Sequence, residues 1–290
     1  MVKKTKKKSN NLNYCSPRNN KEKFTCFSRP SLKRIIKYWN EHNSKDRIKI
    51  SEQDTREKLW NKINQKLKAI CDDEYCWLKQ PFISSKSVVI DDYRPEMPNS
   101  WNSNKNEWLT TRDIEKVMNQ YMKKHNDFIF IGAVPIDFDK EVHPGVCVVN
   151  ELCKIKMRSF FKKGIAKIGI VFNLDPHDKP GSHWVSFFGD LKKGKLYYFD
   201  SYGLEPPKEV SKLVDRLIKQ GEDNNMKFEY KENKLRHQYN ESECGVYSIN
   251  FIEQMLEGTD FDVLSSNKIP DKKMVLLRKK YFVNLKNPSK

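Results

Sequence analysis

Two hydrophobic periods alternate along this chain. Over 29–43 and 51–70 apolar residues recur every three or four positions, which predicts two amphipathic helices. The second opens on Ser51 and Asp54 at capping-box spacing, with Asp standing in for Glu. Residues 71–83 mix apolar and polar positions as a connector. Residues 84–106, with Pro95, Pro98 and several Asn and Ser, read as a long loop. A helix follows over 108–125, capped near Thr110 or Thr111, and then a buried strand over 127–138. The second half is richer in strands, at 166–174, 182–191 and 195–203, with "DLKKGK" turning the last two into a hairpin. A helix over 206–220 starts on proline, "MKFEYKENKLRHQ" is strand-like, and a helix over 270–283 closes the pattern. Between them Val246, Tyr247, Ile249, Phe251, Ile252, Met255 and Leu256 share one broad helical face, which Gly258 stops. A sheet flanked by helices is an α+β architecture.

Composition narrows the class. The 290 residues are 37% hydrophobic and 12% aromatic, enough for a folded core. No apolar run approaches the roughly 20 residues of a membrane span. The lysines of "MVKKTKKKSNN" are followed by no apolar stretch, so a secretory signal is not expected there. Seven cysteines without a regular framework point to a reducing compartment. Residues 1–50 hold 15 Lys or Arg against 3 Asp or Glu, so +12 of the net +17 lies there. An anionic partner, DNA or an acidic protein surface, suits that charge; a solvated tail is the plain alternative.

Candidate chemistry centres on "NESECGVYSINFIEQML". Cys244 falls in the first turn of its helix, where open backbone N–H groups and the macrodipole favour an anion. Ser242 is placed to cap, and Gly245 leaves room for a chain to approach the sulfur. A buried cysteine is equally a small core residue, so the nucleophile reading needs a base. The histidines are His42, His125, His143, His177, His183 and His237. His183 stands out because it opens the strand "HWVSFF", where Trp184 would shield it from water. Asp200 ends the neighbouring hairpin strand. Antiparallel pairing sets the start of one strand beside the end of the next, so His183 and Asp200 are expected neighbours. The carboxylate would then orient the imidazole for the thiol proton. A turn cap is the plain reading of Asp200. Gln238 could present an N–H beside that of Cys244 as an oxyanion hole. Cys147, four residues after His143, is a rival nucleophile with neither a capped helix nor a placed acid. Cys71 and Cys76 lack a second ligand pair for zinc, and no metal or cofactor is expected.

Taken together, His183-Trp184, Asp200, Gln238 and Cys244-Gly245, in that order and with the Q-x5-C-G spacing, resemble the ubiquitin-like-protein-specific cysteine protease superfamily of SUMO proteases and the adenoviral maturation protease. The likeness is closer to the polyprotein-processing proteases of large nucleocytoplasmic DNA viruses, the African swine fever virus type. It is carried by "GSHWVSFFGDLKKGKLYYFDSYGLEPPKEV" and "LRHQYNESECGVYSINFI", and more faintly by "DEYCWLKQPFI" and "EWLTTRDIEKVMNQYM". The resemblance implies a papain-like or adenain-like core with a central mixed sheet flanked by helices, plus a helical N-terminal region. It implies Cys244 as nucleophile, His183 as base, Asp200 as orienter (Asn in the asfarvirus type) and Gln238 as oxyanion donor. It also implies that Trp184 and Trp108 cover a Gly-Gly tunnel, which works by excluding side chains.

The function so implied is a thiol endopeptidase that cleaves viral structural precursors after Gly-Gly during virion maturation, in the virion and host cytoplasm and not secreted. The alternatives are an isopeptidase acting on ubiquitin or SUMO conjugates, and a basic nucleic-acid-binding virion component. An acyltransferase would need an acetyl-CoA site, and no such feature is visible. The expected organisation is a basic flexible tail over 1–28, a helical region and linker over 29–100, and a catalytic domain over 101–290.

Overall fold

The computed structural model describes residues 14–19, 24–83 and 91–283. It divides into two compact units, one ending at Pro95 and one beginning at Glu96.

The first unit is built on α1 (Arg29–His42), α2 (Arg56–Leu67) and the short α3 (Glu74–Leu78). Leu32, Ile35 and Ile36 of α1 share one buried core with Leu59, Ile63 and Leu67 of α2, the three-and-four spacing that puts apolar residues on one face. Ser51 and Asp54 do not start α2. They close a turn before it, Ser51 N–H donating to Asp54 Oδ2 at 2.9 Å, and the capping oxygen belongs to Thr55, which accepts from Lys58 N–H. The segment expected as a flexible tail is corrected in part. Cys15 and Phe27 are fully buried, and Glu74 accepts from the Cys26 N–H and the Trp60 indole, so 14–19 and 24–28 belong to this core. Residues 1–13 lie outside the described residues. The expectation of reduced thiols is not met either. Cys15 pairs with Cys26, Cys71 with Cys76 and Cys147 with Cys153, local links of 11, 5 and 6 residues that no regular spacing announces.

The second unit carries a five-stranded mixed sheet. Its strands are β1 (Phe128–Pro135), β4 (Lys167–Asn173), β5 (Trp184–Asp190), β6 (Lys195–Phe199) and β7 (Glu229–Glu232), in the order β1-β4-β5-β6-β7. β4, β5 and β6 run antiparallel, while β1 and β7 each pair parallel at an edge. A small ribbon of β2 (Glu141–His143) and β3 (Val146–Cys147) stands apart. Alternation along β4 divides the core. Ile168, Ile170 and Phe172 face α7 (Lys208–Glu222) and the short α5 (Asn150–Cys153) and α6 (Met157–Lys162); Val171 joins the opposite cluster. That cluster holds α4 (Thr111–Lys124), α8 (Cys244–Leu256), α9 (Phe261–Ser266) and α10 (Asp271–Tyr281). Thr110 and Asp113 close a capping box at the start of α4. The loop expected over 84–106 is partly packed: Trp101 is buried and meets Phe282 edge-on at 4.9 Å.

α8 is buried on nearly every side, not on one face. Its buried charge is Glu253, which accepts from Tyr121 Oη, Tyr281 Oη and Lys280 Nζ. Burial alone would raise that carboxyl, but the Lys280 charge and these hydrogen bonds hold it below the usual range. No helix among the described residues is long and apolar enough to cross a membrane.

Candidate active site

His183 and Asp200 flank the β5–β6 hairpin, one just before β5 and one just after β6. His183 is anchored through its carbonyl, which accepts from Leu174 N–H at 2.9 Å. Its Nε2 lies 2.7 Å from Asp200 Oδ1. The Cys244 side chain also favours the protonated form of the same imidazole. Both residues are buried, Asp200 almost completely. Burial works against a charged imidazole, but the hydrogen bonds to Asp200 and then Cys244 outweigh it and raise the His183 pKa to about 9. The protonated form of the imidazole is thus the favoured one. His237, also buried, is pushed down to about 4 by burial and by Lys268, and its Nδ1 accepts from Ile269 N–H.

Asp200 is held by residues the sequence did not single out. Asn233 clamps its backbone from both sides, accepting from Asp200 N–H at 2.8 Å and donating to its carbonyl at 2.7 Å. Tyr202 N–H donates to Asp200 Oδ1 at 2.9 Å. The turn can only lie this close because of Gly203. Its φ is +71°, and a Cβ there would meet the Lys234 carbonyl at 2.7 Å. Asn233 follows the end of β7 in a run of polar residues, and nothing local marks it.

Cys244 is the first residue of α8 and the unpaired thiol among the described residues. Ser242 does not cap the helix. The cap residue is Glu243, whose side chain makes no capping bond and turns instead to Arg278. The first amides of α8 thus carry no side-chain oxygen. Arg278, itself buried, donates to the Glu243 carboxylate and to the carbonyls of Ser242 and Glu107, and its guanidinium lies 4.6 Å from the Trp101 ring. One side chain of α10 so ties the segment before the nucleophile to the segment before α4. Gly245 has a different reason from the one expected: a Cβ there would press on Leu109 at 3.0 Å.

Gln238 is fully buried. Its Oε1 accepts from Ser201 Oγ at 2.7 Å, and its backbone N–H donates to the Ser201 carbonyl at 2.9 Å. Its Nε2 donates to the Asn240 carbonyl and, at a long 3.5 Å, toward Tyr202 Oη. The bond to Tyr202 is the weaker of the two. The two tryptophans differ. Trp184 is buried, with its indole N–H donating to the Leu109 carbonyl at 2.9 Å. Trp108, next to Leu109, is 42% exposed. The rival Cys147 is excluded as a free nucleophile because its sulfur is bonded to Cys153. The structure thus bonds His183 to Asp200 and sets Cys244 within electrostatic reach of the same imidazole, places Gln238 beside Ser201 and Tyr202, and joins Trp184 to the Trp108 segment through Leu109.

Comparison with known proteins shows the family and the fold. Residues 138–290 match the model of the Ulp1 protease family, C-terminal catalytic domain. A protein of Acanthamoeba polyphaga mimivirus, named as a thiol protease, is 34% identical over 96% of this chain and 95% of its own length. A protein of African swine fever virus, named as a cysteine protease, is 24% identical over 73% of this chain and 83% of its own. The crystal structure of an African swine fever virus protease superposes with a TM-score of 0.65 at 19% identity, covering 93% of this chain and 96% of that one, which shows a shared fold. The chain belongs to the Ulp1 protease family and is a thiol protease.

Proposed function

We propose that Cys244 attacks the peptide carbonyl as a thiolate, with His183 as its acid–base partner, Asp200 orienting the imidazole, and Gln238 with the Cys244 N–H receiving the oxyanion. The observation that carries this reading is the imidazole of His183 bonded to Asp200 at 2.7 Å, with the thiol of Cys244, the first residue of α8, acting on the same imidazole. The sulfur adds to the carbonyl carbon, and the oxyanion forms where backbone and amide N–H groups can meet it. Collapse expels the amine, which takes the proton from the imidazolium and leaves a thioester and a neutral imidazole. Water then gives a proton to that imidazole as it attacks the thioester, and release of the acid restores the ion pair. Cleavage by the wild type and none by Cys244→Ala is the expected result; activity retained without the thiol would overturn the assignment.

The substrate in this reading is a viral structural precursor cut after Gly-Gly, in the virion or the host cytoplasm. It is supported by likeness to the viral proteases and by the Trp184–Leu109 contact, which brings the Trp108 segment to the nucleophile's helix. A flat indole over the entering chain leaves no room for a Cβ. Replacing either glycine by alanine should therefore cost far more than changing the residue after the cut. Equal rates on Ala-Ala and Gly-Gly peptides would remove the lid. Some African swine fever virus relatives carry the name SUMO-1 cysteine protease, so an isopeptidase acting on a ubiquitin-like modifier is the second reading. Turnover of SUMO-type fluorogenic substrates above that of Gly-Gly peptides would favour it. The lysine-rich start of the chain serves in this reading as a tether to DNA or an acidic protein.

A further inference from the structure

Arg236, Tyr239 and Lys268 take no part in the triad, yet a continuous stack joins them to it. The His183 and Tyr202 rings lie 4.6 Å apart and nearly parallel, at 21°. The Arg236 guanidinium is 5.1 Å from the Tyr202 ring and 4.8 Å from that of Tyr239. Lys268 Nζ lies 3.9 Å from the Tyr239 ring. Arg236 and Lys268 are exposed, and Tyr239 is 58% exposed, so the stack leads from the buried imidazole out to solvent.

Both cations are ordered by aromatic faces rather than by acids. Arg236 is fixed further by its Nε, which donates to the Gln238 carbonyl at 2.9 Å. No ion pair of either cation occurs among the described residues. The nearby acids do not serve them. Asp271 already accepts from the N–H groups of Tyr239 and Asn240 and from Tyr247 Oη. Glu241 is exposed and joins no ion pair among the described residues. Two positive charges on one exposed ring repel each other, and an anion set against them relieves that repulsion. Because the side chains are already held, binding orders little more.

The occupant follows from the place. A polypeptide that offers its carbonyl to Cys244 passes the His183 imidazole, and Tyr202 lies against that imidazole. The chain flanking the cut therefore reaches the stack before any other partner. We propose that Arg236, Tyr239 and Lys268 form a substrate subsite that takes an acidic side chain close to the scissile bond. The proposal rests on the reading of Cys244 as the nucleophile and adds a charge preference to it.

The test measures binding, so that it does not depend on turnover. Full-length Cys244→Ala protein is titrated with short labelled Gly-Gly peptides, neutral except for one Glu moved position by position along both flanks, and read by fluorescence anisotropy. At one position, or two neighbouring ones, Glu should bind roughly three- to tenfold more tightly than Gln, and the gain should shrink as salt rises. Lys268→Glu in the same background should invert the preference at that position, so that a lysine peptide binds more tightly than a glutamate one. Arg236→Met should reduce the preference without inverting it. A merely structural role for Lys268 would weaken all peptides alike. A flat scan, or a glutamate preference that survives Lys268→Glu, overturns the subsite. So does a Lys268-dependent affinity for an oligonucleotide in a protein indifferent to peptide charge, because the stack would then serve a phosphate backbone. Wild-type protein that binds the acidic peptide but cleaves none of the series would sink the nucleophile reading and leave the subsite standing.

Discussion

The two ends of α8 bury comparable chemistry and treat it in opposite ways. At the far end Glu253 has both carboxylate oxygens engaged, by two tyrosine hydroxyls and Lys280, from α4 and α10. At the near end the helix has no side-chain cap, and Asp200 Oδ2 is buried with no hydrogen-bond partner among the described residues. A complete set of bonds holds a helix in place and has nothing left to offer a ligand. An incomplete set, on a helix that the other end keeps rigid, leaves open backbone N–H groups in the first turn and an open acceptor on Asp200.

The sharpest way to break this contrast is to truncate each end. Cys244→Ala should lose hydrolysis altogether and unfold at nearly the wild-type denaturant midpoint. Glu253→Ala should do the reverse, losing about 2–3 kcal/mol of stability because two hydroxyls and a half-exposed lysine lose their shared acceptor, while the folded fraction keeps its kcat. A stable Glu253→Ala protein without activity would erase the distinction. Gln238→Ala comes next. It should lower kcat by roughly 10²–10³ with KM little changed, as loss of one oxyanion donor does. A change in KM alone would make Gln238 a binding residue.

Asp200→Asn should be milder than His183→Ala, since an amide oxygen still accepts from the imidazole. Its signature is in pH. The pKa of His183 is raised from 6.5 to about 9, so its proton stabilises the fold fully below 6.5, and that contribution is lost as pH rises through about 9. The alkaline limb of kcat/KM should fall near the same value, and Asp200→Asn should move it down toward 6.5. An unmoved limb would detach the limb from His183. The smallest effect is expected from deleting residues 1–13. Peptide cleavage should not change, while DNA affinity and its salt slope both fall. Deleting 1–28 would be a poor test, because it removes Cys15, Cys26 and Phe27 from the core of the first unit.

The hairpin was readable because its information is local. A turn sequence between two apolar runs sets antiparallel pairing, and pairing sets His183 near Asp200 before any distance is known. The helix under Cys244 was readable from apolar spacing and a stopping glycine. Its surroundings were not. Ser242 looked like the cap, but Glu243 holds that position and is drawn to Arg278, a residue 35 positions away, so a competing long-range ion pair decides which local bond forms. The start of α2 failed for a nearer reason. Ser51 and Asp54 bond each other in a turn, and Thr55 supplies the cap one residue later.

Order, spacing and residue type were the chain's own: an imidazole at a strand edge, a carboxylate at the end of the next strand, and a thiol in the first turn of a helix. These depend on dihedral preferences and short-range periodicity, which each segment carries by itself. The tertiary structure alone decided that Asn233 clamps Asp200, that Ser201 turns Gln238, that Leu109 fills the space at Gly245, and that Arg236 and Lys268 share Tyr239. Such contacts join segments far apart in the sequence or side chains whose meeting depends on how loops close. Their partners are chosen by packing, and no local pattern encodes that choice.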